Sequence, residues 1–412
     1  MKVLVPNLGS TSLKYQLTDM DEEEGAALRP PRGAPTPGER VLARGKIERI
    51  GSDQALVTTW DGEGKPTQTT AAIPNHRVAV ELLITSLCGG AQSARIDAVG
   101  FKAVHGGPRY RGSFVVDDAL LDAMKEFVPV APVHNPVYIQ AMQIFREVLP
   151  GAPMVAVFEP GFHVTIPDRA AVYGIPFDWT QKHGIRRYGF HGSSHRYISE
   201  RVPQLLGCSV EGLRLVSCHL GGSSSICAIQ DGQSVDSSFG FSAQSGIEHA
   251  ARVGDLDPFA VLYLMEKEKL TAAEIGEILS KQSGLLGISG VSSDLRDIED
   301  ASAKGNSRAA LAIDILVYEV KKHIGAFAAA MGGVDAVAFA GGIGENSWRV
   351  REGVCRGLEF LGIHLDEEKN RAPSGGDRII SRADSPASVL IVYTNEELMV
   401  ARETVRVLRE AL

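Results

Sequence analysis

The feature of the sequence that most constrains its fold is a short motif that occurs twice, about half a chain apart. Residues 6–12 read PNLGSTS, and residues 218–224 read CHLGGSS. Each copy combines Leu-Gly with small hydroxyl residues and lies between two apolar runs, which is the pattern of a β-hairpin. A repeat at this distance predicts two duplicated halves, each of which begins with a hairpin.

Apolar runs predict the remaining elements along the chain. Strands are predicted in residues 41–51, 55–73 (with a turn at Asp61-Gly62), 96–105 and 154–162, and again from Leu213. Helices are predicted over 76–87 and, as a pair, within 117–149. A further apolar strand precedes GGIGEN, and the chain ends with a buried strand and an amphipathic helix whose first turn carries Glu396 and Glu397. Residues 20–41 hold an acidic run and four prolines, which indicates a solvated loop.

Composition excludes several classes of function. With 412 residues, 44% of them hydrophobic, the chain is long enough for about two to three domains. A net charge of −8 argues against nucleic acid or an anionic membrane as the main partner. The sequence shows neither a signal peptide nor a run of about 18 apolar residues. The odd number of scattered cysteines indicates reduced thiols, so we expect a cytoplasmic protein without disulfides (Cys88, Cys208, Cys218, Cys227 and Cys355).

Three glycine-rich turns predict a site for a phosphate group. LGSTS, HLGGSS and GGIGEN each follow an apolar strand, and their small residues let backbone N–H groups converge on an anion. Any one of them alone could be an ordinary tight turn. Three in one chain favour a nucleotide site, although none fits the P-loop or the dinucleotide-binding pattern.

Cationic and imidazole side chains concentrate elsewhere. His191 and His195 lie four residues apart in YGFHGSSHRYIS, but the intervening GSS lacks the Glu of a zinc-binding HExxH motif and is a poor helix former. A histidine that donates to a phosphoryl oxygen therefore fits better than a metal ligand, and a core histidine is the alternative. Arg252 lies beside a turn, and Asp294 and Arg296 could equally form a surface ion pair or a helix cap.

Taken in order, these motifs resemble those of the acetate kinase family of short-chain acyl kinases. The matching stretches are VPNLGSTSLKYQL, AVHGGPRY, PVHNP, VAVFEPGFH, YGFHGSSHRYIS, CHLGGSSS, RVGDLDP, GVSSDLRDIE, FAGGIGENS and YTNEELMVARE. The resemblance implies an α/β fold of two duplicated actin-like (ribonuclease H-like) domains with a nucleotide cleft between them. Residues 1–160, completed by 391–412, would form the first domain, and residues 161–390 the second. The C-terminal strand and helix are expected to return to the first domain.

The resemblance also implies a reaction and its residues. ATP and a small carboxylate would react reversibly, by direct in-line transfer, to ADP and an acyl phosphate, with acetate as the expected acid. The protein would be a homodimer that uses Mg²⁺, for which Mn²⁺ could substitute. Asn7 and Glu396 would lie near the metal ion, Lys102 would bind the carboxylate, and Glu159, His191 and Arg252 would be catalytic. The implied nucleotide-binding residues are Lys14, His219, Leu220, Gly221, Gly222, Ser223, Asp294, Leu295, Arg296, Gly342, Ile343, Gly344, Glu345 and Asn346.

The sequence departs from the family pattern around this site. Lys102 stands where the family usually has Arg, Glu159 where it has Asp, and Gly222 where it has Asn. Ala243 replaces a usual Pro, and EHAA precedes Arg252 in place of MGT. Together with Val133, Ala243 suggests room for an acid longer than acetate. Two alternatives therefore stay open: a propionate- or butyrate-type kinase, and a nucleotide-binding paralogue with weakened catalysis.

Overall fold

The structure, a computed structural model, describes residues 1–9, 11–20, 39–60, 65–89, 95–132, 134–373 and 375–411. Most of the predicted loop 20–41, the predicted turn at Asp61-Gly62 and Val133 lie outside the described residues. The chain divides into two compact units, Met1–Gly161 with Asn395–Leu412, and Phe162–Thr394.

Strands and helices are numbered in chain order. The strands are β1 (Lys2–Gly9), β2 (Ser12–Met20), β3 (Glu39–Glu48), β4 (Ser52–Trp60), β5 (Pro66–Ile73), β6 (Ala98–Ala103), β7 (Ser113–Val115), β8 (Met154–Phe158), β9 (Arg214–His219), β10 (Ser225–Gln230), β11 (Gln233–Ser237), β12 (Ala336–Ala340), β13 (Arg378–Ile379) and β14 (Ser388–Ile391). The helices are α1 (His76–Cys88), α2 (Asp118–Glu126), α3 (Asn135–Val148), α4 (Asp168–Ala171), α5 (Phe177–His183), α6 (Gly192–Leu206), α7 (Pro258–Glu268), α8 (Ala272–Lys281), α9 (Gly284–Ser289), α10 (Leu295–Ala303), α11 (Ser307–Met331), α12 (Gly341–Asn346), α13 (Trp348–Cys355), α14 (Glu367–Arg371) and α15 (Glu396–Glu410).

The two sheets repeat one arrangement, as the sequence predicts. The first unit has the strand order β5-β4-β3-β2-β1-β6-β8-β7, and the second has β11-β10-β9-β12-β14-β13. In both units a three-stranded antiparallel meander is followed by two parallel strands, β3-β2-β1-β6-β8 in one and β11-β10-β9-β12-β14 in the other. The two copies of the repeated motif lie at matching places, since the first begins at the end of β1, which pairs with β2, and the second begins at the end of β9, which pairs with β10. The predicted α/β fold with duplicated units is confirmed.

The core of the first unit lies between the sheet and α15. Val3, Val5, Val155 and Val157 lie on the central strands and pack against an apolar face of α15 that includes Val400. Nine residues of α15 are buried, including four consecutive ones in its first turns, so the start of the helix is enclosed on several sides. The Asn395 side chain caps this helix by accepting a hydrogen bond from the backbone N–H of Leu398 (3.0 Å). The cap and the packing together fix the first turn, which carries Glu396.

The core of the second unit lies beneath α11. This 25-residue helix buries Leu316, Val320 and Ile324 completely. The facing strands β9, β12 and β14 are almost wholly buried, as parallel strands covered on both faces usually are. This packing fixes the carboxyl ends of β9 and β12, where two of the glycine-rich motifs begin.

Four local predictions need correction. The C-terminal strand does not return to the first unit with its helix, because β14 pairs in parallel with β12 and covers its edge. GGIGEN is not a turn but the short helix α12, and the GSS of YGFHGSSH forms the first turn of α6. The strand predicted over 154–162 ends at Phe158, where a 3₁₀ turn, Glu159–His163, begins. Among the described residues, no helix is long and apolar enough to cross a membrane.

Candidate functional site

A cavity of about 770 Å³ in the second unit brings together two of the glycine-rich motifs and the segment around Asp294. β9 and β12 are adjacent parallel strands with Ala340 opposite His219, so their carboxyl ends lie at one edge of the sheet. Ligands of open α/β sheets bind at this edge. The predicted nucleotide residues that line the cavity are Gly221, Gly222, Asp294, Leu295, Arg296, Gly342, Ile343 and Asn346.

The backbone of Leu220 holds the two motifs against each other. Its carbonyl oxygen accepts hydrogen bonds from the N–H groups of Ile343 (2.9 Å) and Gly344 (3.2 Å). Gly341 adopts the left-handed conformation (φ 75°), and a Cβ there would lie 2.6 Å from the same carbonyl. Only glycine fits this approach. Leu220 and Gly344 therefore do not line the cavity themselves, but their backbone hydrogen bond holds the residues that do.

Other predicted nucleotide residues lie around the cavity or apart from it. The Glu345 carboxylate accepts a hydrogen bond from the N–H of Gly341 (3.1 Å), and Ser223 lies in the first loop. Lys14 lies in the first unit, where it lines a separate pocket of about 310 Å³ with Arg44 and Trp60. Sequence reasoning missed four residues that also line the cavity, namely Ala250, Ser293, Glu299 and Ser347.

Asp294 and Arg296 form an exposed pair at the rim of the cavity. The Arg296 guanidinium binds both oxygens of Asp294, at 2.5 and 3.0 Å. These hydrogen bonds lower the pKa of the Asp294 carboxyl to about 2. Asp294 also caps α10 by accepting a hydrogen bond from the backbone N–H of Arg296 (2.9 Å). Both alternatives that the sequence left open, an ion pair and a cap, therefore hold for a residue that also lines the cavity.

His191 and His219 lie side by side in the second unit. Their ring centroids are 4.2 Å apart. His191 adopts the left-handed conformation (φ 54°) at the N-terminus of α6, which is uncommon for residues other than glycine. Its Nδ1 atom lies 2.8 Å from the Ser225 hydroxyl, and the Nδ1 atom of His219 lies 2.7 Å from the Ser194 hydroxyl.

Arg252 is a half-buried cation without an acidic partner among the described residues. Burial lowers the pKa of its guanidinium to about 10, so the group stays charged at neutral pH. Its Nη1 atom donates to the carbonyl oxygen of Ala243 (2.5 Å). The neighbouring His249 is neutral, because burial and the charge of Arg252 lower its pKa to about 3. A partly desolvated positive charge that no carboxylate of the described residues balances favours an anionic ligand.

The segment before Arg252 also supports the first phosphate loop. The Nδ1 atom of His249 accepts a hydrogen bond from the backbone N–H of Ser224 (3.0 Å). The N–H of Ala250 donates to the carbonyl oxygen of Gly222 (3.1 Å). The EHAA sequence, a departure from the family pattern, therefore joins the loop to the segment that carries Arg252.

Four predicted residues of the first unit form one cluster: Asn7, Lys102, Glu159 and Glu396. The structure adds Tyr138 to it. The Lys102 ammonium lies 2.6 Å from the Glu396 carboxylate. Burial opposes the charge of Lys102, but Glu396 and Glu159 outweigh it, and the pKa of Lys102 is raised well above its usual range. The Tyr138 hydroxyl donates to Oδ1 of Asn7 (3.2 Å), and burial raises the pKa of Tyr138 to about 12. The only sequence signal for Tyr138 was its place shortly after PVHNP, at the start of α3.

The oxygen donors of this cluster fit Mg²⁺. Asn7 offers an amide oxygen, and Glu396 offers a carboxylate that already binds one cation, the ammonium of Lys102. Among the described residues, no group of three or more His, Cys, Asp or Glu side chains could hold a metal ion. Mg²⁺ usually binds one or two carboxylates together with water and substrate phosphates, so it does not require such a group.

The zinc interpretation of His191 and His195 fails, since Nδ1 of the first and both ring nitrogens of the second contact serine hydroxyls.

The duplicated units, with glycine-rich motifs at the carboxyl ends of parallel strands, define the class of protein: an α/β protein with two actin-like units. The chain belongs to the acetokinase family, whose model matches residues 2–402.

Named relatives and solved structures agree with this family. The chain is 44% identical over 415 residues to an acetate kinase from Desulfitobacterium hafniense (strain DSM 10664 / DCB-2), with 100% of each chain covered. The structure of Porphyromonas gingivalis acetate kinase matches with a TM-score of 0.84 at 39% identity and covers 99% of each chain. A propionate kinase from Francisella tularensis subsp. tularensis SCHU S4 matches with a TM-score of 0.87 at 33% identity, covering 98% of this chain and 99% of that one. The resemblance seen in the ordered motifs is thereby confirmed.

Proposed function

We propose that this protein transfers the terminal phosphoryl group of ATP to acetate, forming acetyl phosphate and ADP, and that it also catalyses the reverse reaction. Membership of the acetokinase family and the acetate kinases among its relatives support the reaction. The observation that carries the proposal is the half-buried guanidinium of Arg252, which no carboxylate of the described residues balances. It lies two residues from Ala250, which lines the cavity.

The reaction does not require a general base. A carboxylic acid such as acetic acid is already ionised at neutral pH, so its oxygen is ready to attack phosphorus. Catalysis then depends on positioning and on stabilising the charge of the transferred group. We assign that stabilisation to Arg252 and His191. A cation that burial has already desolvated acts strongly on developing negative charge, since little solvent has to reorganise.

Residues of the first unit are assigned to the acid and to the metal ion. Lys102 would bind the carboxylate, and its pairing with Glu396 holds its ammonium in place. Glu159, which is 4% exposed, would orient this cluster. Asn7 and Glu396 would hold Mg²⁺, or Mn²⁺ in its place, and the ion would neutralise charge on the nucleotide phosphates. We assign ATP and ADP to the cavity of the second unit.

We also propose that the protein is a cytoplasmic homodimer. Helix α7 buries none of its residues and exposes Phe259 (76%), Leu262 (59%) and Tyr263 (60%). Apolar patches of this kind mark contact surfaces, and a second copy of the chain would cover this one. Light scattering tests the proposal: the wild-type protein should have twice the monomer mass, and Leu262→Glu should shift it towards the monomer. A monomeric wild-type protein would contradict it. The cytoplasmic assignment is supported by the five cysteines, all of which are free.

Hydroxamate trapping tests the reaction. The protein, ATP, Mg²⁺, acetate and hydroxylamine should give acetyl hydroxamate, and omission of either ATP or acetate should abolish it. Nucleotide binding without hydroxamate from any acid would favour the paralogue with weakened catalysis.

A propionate kinase is the second candidate, supported by the likeness to the Francisella tularensis enzyme. The sequence argument for a longer acid relied on Ala243 and Val133. Val133 lies outside the described residues, and Ala243 contacts Arg252 through its carbonyl oxygen. The same assay with acetate, propionate and butyrate decides between the candidates. A fall in kcat/KM with each added carbon supports acetate, and a maximum at propionate supports the alternative.

A further inference from the structure

A line of buried hydrogen bonds in the second unit leads to His191. The Ser225 hydroxyl lies 2.8 Å from Nδ1 of His191 and 2.8 Å from Nε2 of His195. Nδ1 of His195 in turn lies 2.8 Å from the Ser217 hydroxyl. Ser217, Ser225 and His195 are each fully buried. None of these three residues is among those assigned to the reaction above.

The positions of these residues follow from the strands and helix that carry them. Ser217 lies on β9 and Ser225 begins β10, and the two strands pair in antiparallel register. His195 lies in the first turn of α6, where its N–H donates to the carbonyl oxygen of His191 (2.9 Å). The two histidines and the two serines are thus held by regular backbone structure.

The number of protons available restricts how this line can be bonded. A serine hydroxyl has one proton, and the two imidazoles are the only hydrogen-bond partners of the Ser225 hydroxyl among the described residues, so Ser225 donates to one of them and accepts from the other. His195 is neutral, because burial lowers its pKa well below the usual range, so it has one N–H and one acceptor nitrogen. The hydrogen bonds can therefore be arranged in only two ways. In the forward order each group donates to the next one from Ser217 towards His191, and in the reverse order each donation points the other way.

The hydroxyl of Ser217 distinguishes the two orders. In the reverse order the Ser217 hydroxyl accepts from His195, and its own proton then has no acceptor, because His195 is the only hydrogen-bond partner of this hydroxyl among the described residues. A buried donor without an acceptor is costly. In the forward order Ser217 donates to Nδ1 of His195, Nε2–H of His195 donates to Ser225, and Ser225 donates to Nδ1 of His191. Every hydroxyl proton then has an acceptor.

We propose that Ser225 is a positioning residue which, with His195 and Ser217 behind it, keeps neutral His191 in the tautomer that carries its proton on Nε2. A neutral His191 in this tautomer presents an N–H donor on the side of the ring opposite Ser225. The other tautomer would present a lone pair there, which would repel a phosphoryl oxygen. The effect on rate depends on the function proposed for His191, whereas the tautomer itself does not.

Nitrogen-15 NMR tests the tautomer without any assay of activity. Protein labelled with nitrogen-15 histidine is compared with a His191→Gln sample, which identifies the His191 signals. We expect long-range proton–nitrogen correlations to show the proton on Nε2 in the wild type and a redistribution towards Nδ1 in Ser225→Ala. A proton on Nδ1 in the wild type, or an unchanged pattern in Ser225→Ala, would overturn the proposal.

Kinetics with a matched control supply the second readout. Ser225→Ala should lower kcat roughly five- to tenfold, with KM for ATP nearly unchanged. This is the factor by which one neutral hydrogen bond favours one tautomer of His191 over the other. Ser217→Ala should lower kcat in the same way but less, and Ser225→Thr, which keeps the hydroxyl, should restore most of the rate. Ser234→Ala removes a similar buried contact, 2.8 Å from Nδ1 of His163, and should leave kcat within about twofold.

The outcomes separate this inference from the proposed function. If the tautomer responds to Ser225→Ala while kcat does not, the inference stands and the role of His191 in the reaction fails. Equal losses of kcat in the Ser225→Ala and Ser234→Ala proteins, with no change of tautomer, would show that Ser225 only supports packing and would overturn the inference.

Discussion

Replacement of Glu248 by Gln should stabilise the second unit at high pH but not at low pH. Glu248 is buried, and its Oε1 atom has no hydrogen-bond partner among the described residues. Burial raises the pKa of this carboxyl from an ordinary 4.5 to about 7. The folded protein therefore holds the proton more tightly than the unfolded chain does. The stability that Glu248 contributes is fully present below pH 4.5 and is lost as the pH rises through about 7.

The size of the effect follows from the same pKa values. A difference of about 2.5 in pKa, at about 1.4 kcal/mol for each unit, corresponds to about 3.5 kcal/mol. Because Gln does not titrate, Glu248→Gln should gain about this much relative to wild type between about pH 4.5 and pH 8. Any fixed cost of the buried amide is the same at both pH values and cancels in the comparison.

Urea unfolding at several pH values measures this difference. Trp179 and Trp348 both lie in the second unit, so their fluorescence in a Trp60→Phe background reports on that unit. Glu211→Gln, at an exposed carboxylate, is the control and should show no comparable gain. Glu319→Gln removes a negative charge that helps to raise the pKa of Glu248, so it should reduce the effect. A Glu248→Gln protein whose advantage is constant from pH 5 to pH 8 would refute the reasoning.

Three further predictions concern the site itself. Arg252→Ala should lower kcat on the order of 10³-fold with a smaller change in KM for ATP, since its charge acts where negative charge develops; near-normal turnover would contradict that role. Gly222→Asn restores the usual family residue where a Cβ meets nothing within 4 Å, so KM for ATP should fall, and a raised KM would argue against open space there. Lys102→Arg should lower KM for acetate about fivefold, because it adds a second donor and can keep the pair with Glu396; a raised KM would show instead that the larger group crowds Glu159.

Much of the fold could be predicted from the sequence because its signals are local. The repeat of Leu-Gly and hydroxyl residues predicted the two hairpins, and continuous apolar runs predicted β6, β8, β12 and β14. The strand pairing of β14 could not be predicted, since a buried strand has the same apolar sequence pattern whichever of the two sheets it joins. The helical start of α6 at Gly192 also conflicts with local propensity, and tertiary packing overrides it.

The candidate site was predictable where a motif identifies it and not where only the fold brings residues together. The glycine-rich motifs indicated the cavity, but Tyr138 and Glu299 belong to no phosphate-binding pattern. The contact of Ser225 with two histidines depends on the register of β9 and β10 and on the first turn of α6. Such a contact joins positions 30 or more residues apart, which spacing along the chain does not reveal.

The most direct test of the central claim is the transfer of a phosphoryl group from acetyl phosphate to ADP, followed by phosphorus NMR in the presence of Mg²⁺. The wild-type protein should convert the acyl phosphate signal into the terminal phosphate of ATP in equal amount, and Arg252→Ala should do so on the order of 10³-fold more slowly. Loss of acetyl phosphate to inorganic phosphate alone, with no ATP formed, would contradict the claim that this chain is an acyl kinase.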